Sequence, residues 1–390
     1  MIIPPKYLPV NWADGMKVTR NHFDCTENFV IDNLRDVASV HVNKFNFGLL
    51  PPLASGGAMV SDYEVTRTAT GQLQISIHYC QAITPGGVRI SIVGEGIKKN
   101  LSLSDLNESG ASDENDDWSD RIESLYVVIV ADPFKKTLVG DPDPEEIPIR
   151  HPFTQSYYSV ELKNNNEIRG RELGMNHLII GRLHKTGNSL EKDATFVPPS
   201  STINSCVALI EFHRAICNRM NDLQNISLQI VHKINYKNQK SIVSQNVKAM
   251  CNVLLQYCAE NYFAMRNMVA SLPPVYLLNA ISVLANKLLT FIKMLPENEK
   301  EELLNYFFEW SDITQVNFLK ILDDTIEINY DHYDSGNCFV QSVKMLEDIL
   351  IVWNKLNSLE FIGQHKESII VKEEVITNVV KEKKGWSILD

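Results

Sequence analysis

Two periodicities divide the chain. Before about residue 200, apolar positions recur every second residue in short runs. In "GQLQISIHY", Leu73, Ile75 and Ile77 alternate with Gln74, Ser76 and His78, the period of a half-buried strand. A turn signal at Pro85-Gly86-Gly87 follows, and Val88, Ile90 and Ile92 alternate again. "ESLYVVIVADP" is a continuous apolar run of strand length that should end at Pro133, and "YYSVEL" and "MNHLIIGRLH" are further strands. Many short strands separated by turns predict an antiparallel sandwich or barrel. One early segment breaks the pattern. "NHFDCTENFVIDNLRDVASVHVNKF" carries Phe23, Phe29, Val30, Leu34 and Val37 at helical spacing, with Asp24 or Thr26 as cap, and predicts one helix.

After "FVPPSST" the period becomes helical. "CVALIEFHRAICNRMNDLQNISLQIVHKI" places Leu209, Ile216, Leu223 and Ile230 seven residues apart, a coiled-coil column. The neighbouring column, Phe212, Arg219, Ile226 and Lys233, is mixed. A second helix covers about 240–270, with Val243, Val247, Met250, Leu254, Tyr257 and Tyr262 among its apolar residues. A third starts at Pro273-Pro274, where proline is tolerated. "NEKEELLNYFFEW" and about 311–328 give shorter helices, and "GNCFVQSVKMLEDILIVWNKLNSL" a last long one. "ESIIVKEEVITNVV" could form a strand or hairpin, and "KEKKGWSILD" reads as a tail. Glycine and proline agree with this division: 13 of 16 prolines and 15 of 18 glycines lie in residues 1–200, where strands and turns need them.

The expected architecture is therefore α+β and multidomain. An N-terminal antiparallel β-sandwich with an early helix spans 1–200, a helical bundle spans 201–328, and a small C-terminal helical or α+β unit spans 329–390. Helices of this length joined by short links pack as antiparallel bundles. No repeat of fixed period runs through the chain.

Charge and cysteine content narrow the function. A net charge of −11 argues against broad phosphate binding, so no nucleic-acid partner is expected. Seven scattered cysteines fit a reducing compartment better than a disulfide framework. The start, "MIIPPKYLPV", lacks the basic and apolar regions of a secretory signal, and no uncharged apolar stretch of about twenty residues suggests membrane insertion. The expected location is the cytoplasm.

Candidate chemistry is sparse. "GEGIKK" has two glycines of a dinucleotide pattern and lacks the third. There is no G-x-S-x-G elbow and no cysteine pairing at metal spacing. His213 and Cys217 are four apart on a helix, two ligands where four are normal, and Cys251 with Cys258 fits core burial. Cys25 with His22 could be drawn as nucleophile and base, but nothing supplies a third group or an oxyanion site. Residues 105–120 hold seven acids and no base. Asp113, Asn115 and Asp117 copy the opening of a calcium loop, yet Trp118 and Ser124 stand where glycine and glutamate are required, so the segment reads as a solvated insertion. No catalytic residue, cofactor or metal is expected. The opening "NWADGMKVTRNHFD" then reads as architecture, with Trp12, Met16 and Phe23 as apolar anchors around Gly15, holding an N-terminal arm or docking a partner.

Four segments in order resemble the TssK family, the baseplate adaptor of bacterial type VI secretion. "NWADGMKVTRNHFD" is similar to its W-x-E-G-M…P-Q-H-F opening at Trp12, Gly15, Met16, His22 and Phe23, with Asp14 for Glu, Asn21 for Gln and Arg20 for Pro. "TFVPPSSTINSC" resembles its Y-I-P-P segment, and "LPPVYLLNAISVLANKLLTF" its P-P-x-x-L-Y…L-A-G-x-L-x-T-F helix, with Asn286 for Gly. "YDHYDSGNCFVQSVKML" is similar to Y-x-H-x-D…C-F through Tyr330, His332, Asp334, Cys338 and Phe339. The resemblance implies a β domain like the shoulder of phage receptor-binding proteins, a helical bundle and a small α/β end. It also implies a homotrimer, N-terminal docking on the TssF–TssG wedge, a membrane-complex contact at the other end, and a structural role without turnover. Leu209, Phe212, Ile216, Leu223 and Ile230 could then lie between subunits, or pack inside one. The family has a longer α/β segment after its Y-x-H-x-D helix, so the membrane-side contact is expected to differ here. The alternative is a phage-tail-like receptor-binding or tail baseplate protein, for which a tip domain is missing from the reading.

Overall fold

The computed structural model describes residues 4–52, 61–68, 72–94, 96–101, 124–169, 173–186 and 189–365. The acidic 105–120 segment and the expected hairpin at 367–380 lie outside these residues.

In chain order the elements are helix α1 (Arg20–His41), strands β1 (Gly48–Leu49), β2 (Ser61–Arg67), β3 (Leu73–Ile83), β4 (Arg89–Ile92), β5 (Ile97–Leu101), β6 (Ser124–Val139) and β7 (Phe153–Asn164), the single turn α2 (Asn165–Arg169), then β8 (His177–Thr186) and β9 (Ser189–Lys192). Six helices follow: α3 (Val207–Tyr236), α4 (Ile242–Asn267), α5 (Val275–Met294), α6 (Glu297–Ser311), α7 (Gln315–Ile326) and α8 (Gly336–Ser358).

The strands form two antiparallel sheets. In the first, β3 is the hub that pairs with β1, β2, β4 and β5; the second has the order β7-β6-β8-β9. Ile75, Ile77, Ile90 and Ile92 of the first sheet share one core with Leu125, Val127, Ile129, Val160 and Leu183 of the second, which makes the pair a sandwich. The period-two reading holds along β4, where Ile90 and Ile92 are buried and Arg89 and Ser91 exposed. It fails at Pro133. Strand β6 continues to Val139 because the pairing with β7 shifts between Asp132 and Lys136. Proline lacks an N–H for the ladder, and a bulge is where a strand tolerates it.

The helices enclose a second core. Leu209, Ile216, Leu223 and Ile230 of α3 lie in it with Leu254 and Tyr257 of α4, Leu284 of α5, Phe307 of α6, Leu322 of α7 and Trp353 of α8. Helix α5 is long and apolar enough to cross a membrane by composition, but Leu277, Ile281, Leu284, Leu288 and Ile292 are buried in this core. Helix α8, expected to open a separate C-terminal unit, packs in the same core through Phe339, Met345, Leu346, Ile349, Val352 and Leu356. The Trp353 indole N–H donates to the Ser227 hydroxyl of α3 at 2.8 Å, so α8 is fastened to α3 by a buried polar contact as well as by apolar packing. The reason is amphipathic spacing: 339, 342, 346, 349, 353 and 356 fall on one helical face.

Candidate functional site

Two regions bring candidate residues together: the joint between sandwich and bundle, and the outer face of α1.

The joint is built by the loop between α7 and α8. His332 is almost fully buried. Its Nε2–H donates to the Phe47 carbonyl at 2.8 Å, and its Nδ1 accepts from the Tyr330 hydroxyl at 2.7 Å. Both ring nitrogens are thus satisfied in the neutral form. Burial pushes the imidazole down to about 4, against the pull of the Phe47 carbonyl and Asp331. Phe47 meets the His332 ring edge-on with centroids 4.5 Å apart, and Tyr333 at 5.3 Å. Two residues on, Asp334 pairs with Arg182 of β8 at 2.5 Å, and Arg182 also pairs with Asp193 at 2.6 Å. Burial would raise Asp193, but hydrogen bonds from Thr195 and Arg182 outweigh it and hold the carboxyl below its usual range. Burial raises Asp334, with Arg182 pulling the other way.

The backbone crosses the same joint. Leu49 N–H donates to Pro199 O, and Ser201 N–H to Leu49 O, both at 2.8 Å. A Cβ on Gly48 would lie 2.1 Å from the Pro199 carbonyl oxygen, and its φ of +112° also requires glycine. The Y-x-H-x-D segment is therefore a clamp: Tyr330, His332 and Asp334 tie the bundle to the sandwich, and Phe339 anchors the clamp in the helical core, stacked on Phe212 at 5.4 Å. Arg182 and Asp193 complete it without having been singled out from sequence. Arg182 lies within a stretch read only as a strand and Asp193 just before the Pro198-Pro199 segment, and only the fold joins them to the clamp.

Helix α1 is amphipathic in the reverse sense. Its buried residues are Asp32, Arg35 and Ser39. Phe23, Val30, Leu34 and Val37, whose spacing predicted the helix, are exposed, at 62%, 47%, 65% and 61%. The apolar spacing marks the helix, and its stripe faces solvent. The polar side is what the sandwich and the arm hold. Asp32 accepts from the Lys6 backbone N–H, from the Tyr7 N–H at 3.0 Å, and from Arg35 at 2.8 and 3.0 Å. Burial would raise its carboxyl, but the Tyr7, Arg35 and Lys6 hydrogen bonds carry it below the ordinary value. Lys136 of β6 pairs with Glu27 and lies 3.9 Å from Asp24. Tyr7 meets the Phe134 ring at 4.6 Å. The backbone of Arg35 and Ser39 lies on Gly87, where a Cβ would be 2.8 Å from the Arg35 carbonyl oxygen.

The opening stretch forms the approach to α1. Gly15, at φ +77°, supplies the turn. The His22 Nδ1 accepts from the Thr19 backbone N–H at 3.1 Å, the role a Glu or Gln plays in a capping box. Trp12 rests against His22, centroids 5.9 Å apart, and is half-exposed. Met16 is half-buried. Cys25 lies 3.9 Å from the Asn21 side-chain oxygen, so His22 and Cys25 do not form a nucleophile–base pair.

The α3 column is in a different position from a subunit contact. Leu209, Ile216, Leu223 and Ile230 have no exposed surface in the single chain, which leaves them nothing to offer a second copy; Phe212 is partly buried against the same core. Of the two placements left open for the column, packing within one chain accounts for the burial of these four residues. His213 donates from Nε2 to the Met265 carbonyl at 2.9 Å, satisfying one of the orphan carbonyls at the end of α4, and Cys217 is 3.5 Å away. Among the described residues no group of three or more His, Cys, Asp or Glu side chains could hold a metal ion.

No family model and no curated protein sequence matches the chain. Solved structures do. A chain of the baseplate complex from the type VI secretion system is 13% identical, with TM-score 0.50, over 89% of this chain and 99% of that one. A chain of the type VI secretion TssK–TssF–TssG baseplate subcomplex is 13% identical, TM-score 0.49, over 88% and 99%. A crystal structure of TssK is 16% identical, TM-score 0.46, over 88% and 69%. At these identities the finding is one of fold: the sandwich and bundle are arranged as in a chain of that baseplate complex.

Proposed function

We propose that the chain is a structural, non-catalytic subunit of a type VI secretion baseplate, and that α1 is the face by which its sandwich docks on the wedge subunits TssF and TssG. The observation that carries this reading is the reversed α1. A helix that buries an Asp–Arg pair and turns Phe23, Val30, Leu34 and Val37 to solvent is built to be covered. Covering these four side chains would contribute roughly 1–2 kcal/mol each. The fold likeness to a baseplate chain over nearly the whole of both chains supports the same reading.

In this role the chain assembles as a homotrimer in the cytoplasm at the inner membrane. The sandwich end holds the wedge and the helical end reaches the membrane complex. The rigid clamp at His332 and Arg182 suits a part that passes load between its two ends.

The test is co-purification with TssF and TssG from the same bacterium. Val30→Asp with Val37→Asp should keep the helical circular dichroism and lose the wedge. Retained binding by that variant would overturn the assignment of α1. Light scattering of the purified protein should give the trimer mass, and a monomer at high concentration would overturn the trimer.

A further inference from the structure

A groove runs along the α3–α4 hairpin, and its lining takes no residue from α1 or from the clamp. Its volume is about 450 Å³, within the range of ligand sites. The floor is apolar: Ile210, Met220 and Met265, with Cys217, Cys258 and Tyr262. On α3 the lining runs from Ile210 to Gln224, roughly 21 Å at 1.5 Å per residue, and on α4 from Cys258 to Arg266, roughly 12 Å. That is the shape of a trough for a length of chain rather than a hole for a compact molecule.

The charge on this trough is opposite to that of the protein. The chain carries −11 overall. The lining includes Arg214, Arg266 and His213 and no carboxylate. His213 is committed to the Met265 carbonyl. The two arginines are not. Both are exposed. Among the described residues Arg266 donates only to the Tyr262 hydroxyl, at 3.2 Å, and Arg214 makes no ion pair. Arginine forks left open on either wall of an apolar trough match carboxylates on either side of an apolar stripe.

We infer that the α3–α4 groove is a docking site for an acidic amphipathic helix, which lays its apolar stripe on the exposed Tyr262 ring and the outer edges of the mostly buried Met220 and Met265, and places carboxylates on Arg214 and Arg266. The methionine-lined floor suits such a ligand, because an unbranched thioether adapts to the side chains laid on it. The inference stands apart from the proposed baseplate role, since it uses neither α1 nor the fold likeness.

The experiment uses the full chain and three short labelled helical peptides, one of Leu, Ala and Glu, one with Gln for every Glu, and one with Lys for every Glu. Fluorescence anisotropy should show saturable binding of the Glu peptide that weakens as salt rises. The Gln peptide should bind about tenfold more weakly, having lost the charge-assisted hydrogen bonds. Arg214→Glu with Arg266→Glu should lose the Glu peptide and gain the Lys peptide. Asn221→Trp, which fills the trough from an exposed position, should block the Glu peptide with both arginines in place. Equal binding of the Glu and Gln peptides, or a double variant that still prefers the Glu peptide, overturns the inference. So does a double variant whose mass by light scattering falls below that of the parent, because the groove would then be covered by a second copy of the chain.

Discussion

His332 donates a hydrogen bond to the Phe47 carbonyl, 2.8 Å away in space and 285 residues away in sequence. The bond joins the loop before the last helix to the chain just before the first strand. It ties the bundle to the sandwich. Around it the contacts differ in kind: an aromatic edge from Phe47, a hydroxyl from Tyr330, and the Arg182 ion pairs a few residues on. A polar cluster of this sort fixes geometry because each member satisfies another, and losing one strands its partner in a low-dielectric setting.

The buried imidazole makes the joint sensitive to acid. His332 is neutral when folded, with a pKa pushed to about 4, whereas an unfolded histidine titrates near 6.5. Between these values the unfolded chain binds a proton that the folded chain refuses. Stability is therefore complete above about pH 6.5 and falls as pH drops toward 4, by about 3 kcal/mol in all. Asp334, raised by burial, works in the opposite sense and softens the loss. Urea melts between about pH 7.5 and pH 4.5 should show the midpoint falling on acidification, and His332→Gln should flatten that dependence. A parent midpoint that does not move across this range would remove the neutral clamp from the account.

Arg182 is the second half of the joint. It satisfies two carboxylates at once, Asp193 at 2.6 Å and Asp334 at 2.5 Å, beneath the Phe196 ring. Arg182→Met keeps the stem and leaves two acids facing each other. The expected cost is about 2 kcal/mol, between the values for exposed and for fully buried pairs, because the three side chains are part-buried. It should fall on the joint rather than on either core. Limited proteolysis is the discriminating readout, because cleavage should rise at residues 193–201, between β9 and α3. Uniform loss of protection across the chain would mean that Arg182 supports a core instead.

Much of the fold was legible because local periods report local burial. Leu73, Ile75 and Ile77 are buried as their spacing predicts, although Ser76, expected on the outer face, is buried with them; α3, α5 and α8 repeat at helical spacing and pack. What the periods do not carry is direction. The α1 stripe has the spacing of a core face and points outward, because burial of Asp32 and Arg35 depends on the arm at residues 6 and 7. An Asp and an Arg three apart, opposite the stripe, were the available signal. The Leu209 column had the spacing of a coiled coil, and helices from the same chain fill its groove before any copy can. The clamp was half visible. Tyr330, His332 and Asp334 came with the family resemblance, while Arg182 and Asp193 come from strands and the link after them, and only tertiary contact brings them together.

These two apolar stripes give opposite predictions. Leu223 is fully buried, so Leu223→Ala should cost about 2–5 kcal/mol through lost transfer energy and the cavity it leaves. Its effect on assembly should follow only from lost stability. Val37 is 61% exposed, so Val37→Asp should move stability by no more than about 0.5 kcal/mol. Its effect should appear in partner binding. Paired melting and co-purification experiments separate the two. A Val37→Asp protein that melts as early as Leu223→Ala would show that α1 packs on its own chain.

Asp32 decides whether α1 can present that stripe at all. Its carboxylate is 1% exposed and collects two backbone N–H groups of the arm and the guanidinium of Arg35. Asp32→Ala removes all of these together. Arg35, 6% exposed, is left charged with its nearest carboxylate gone, and the arm loses its attachment at Lys6 and Tyr7. The cost should be about 3 kcal/mol, because the buried guanidinium loses the carboxylate it pairs with. Replacing both members of the pair, Asp32→Leu with Arg35→Met, should cost less than Asp32→Ala alone, since no buried charge is stranded. Yet the double variant still cannot hold the arm. Hydrogen exchange should therefore report the same fast exchange at residues 6 and 7 in both variants, with the melting midpoint restored only in the double. If the double variant also restores slow exchange there, the arm is held by the Tyr7–Phe134 ring contact and not by Asp32.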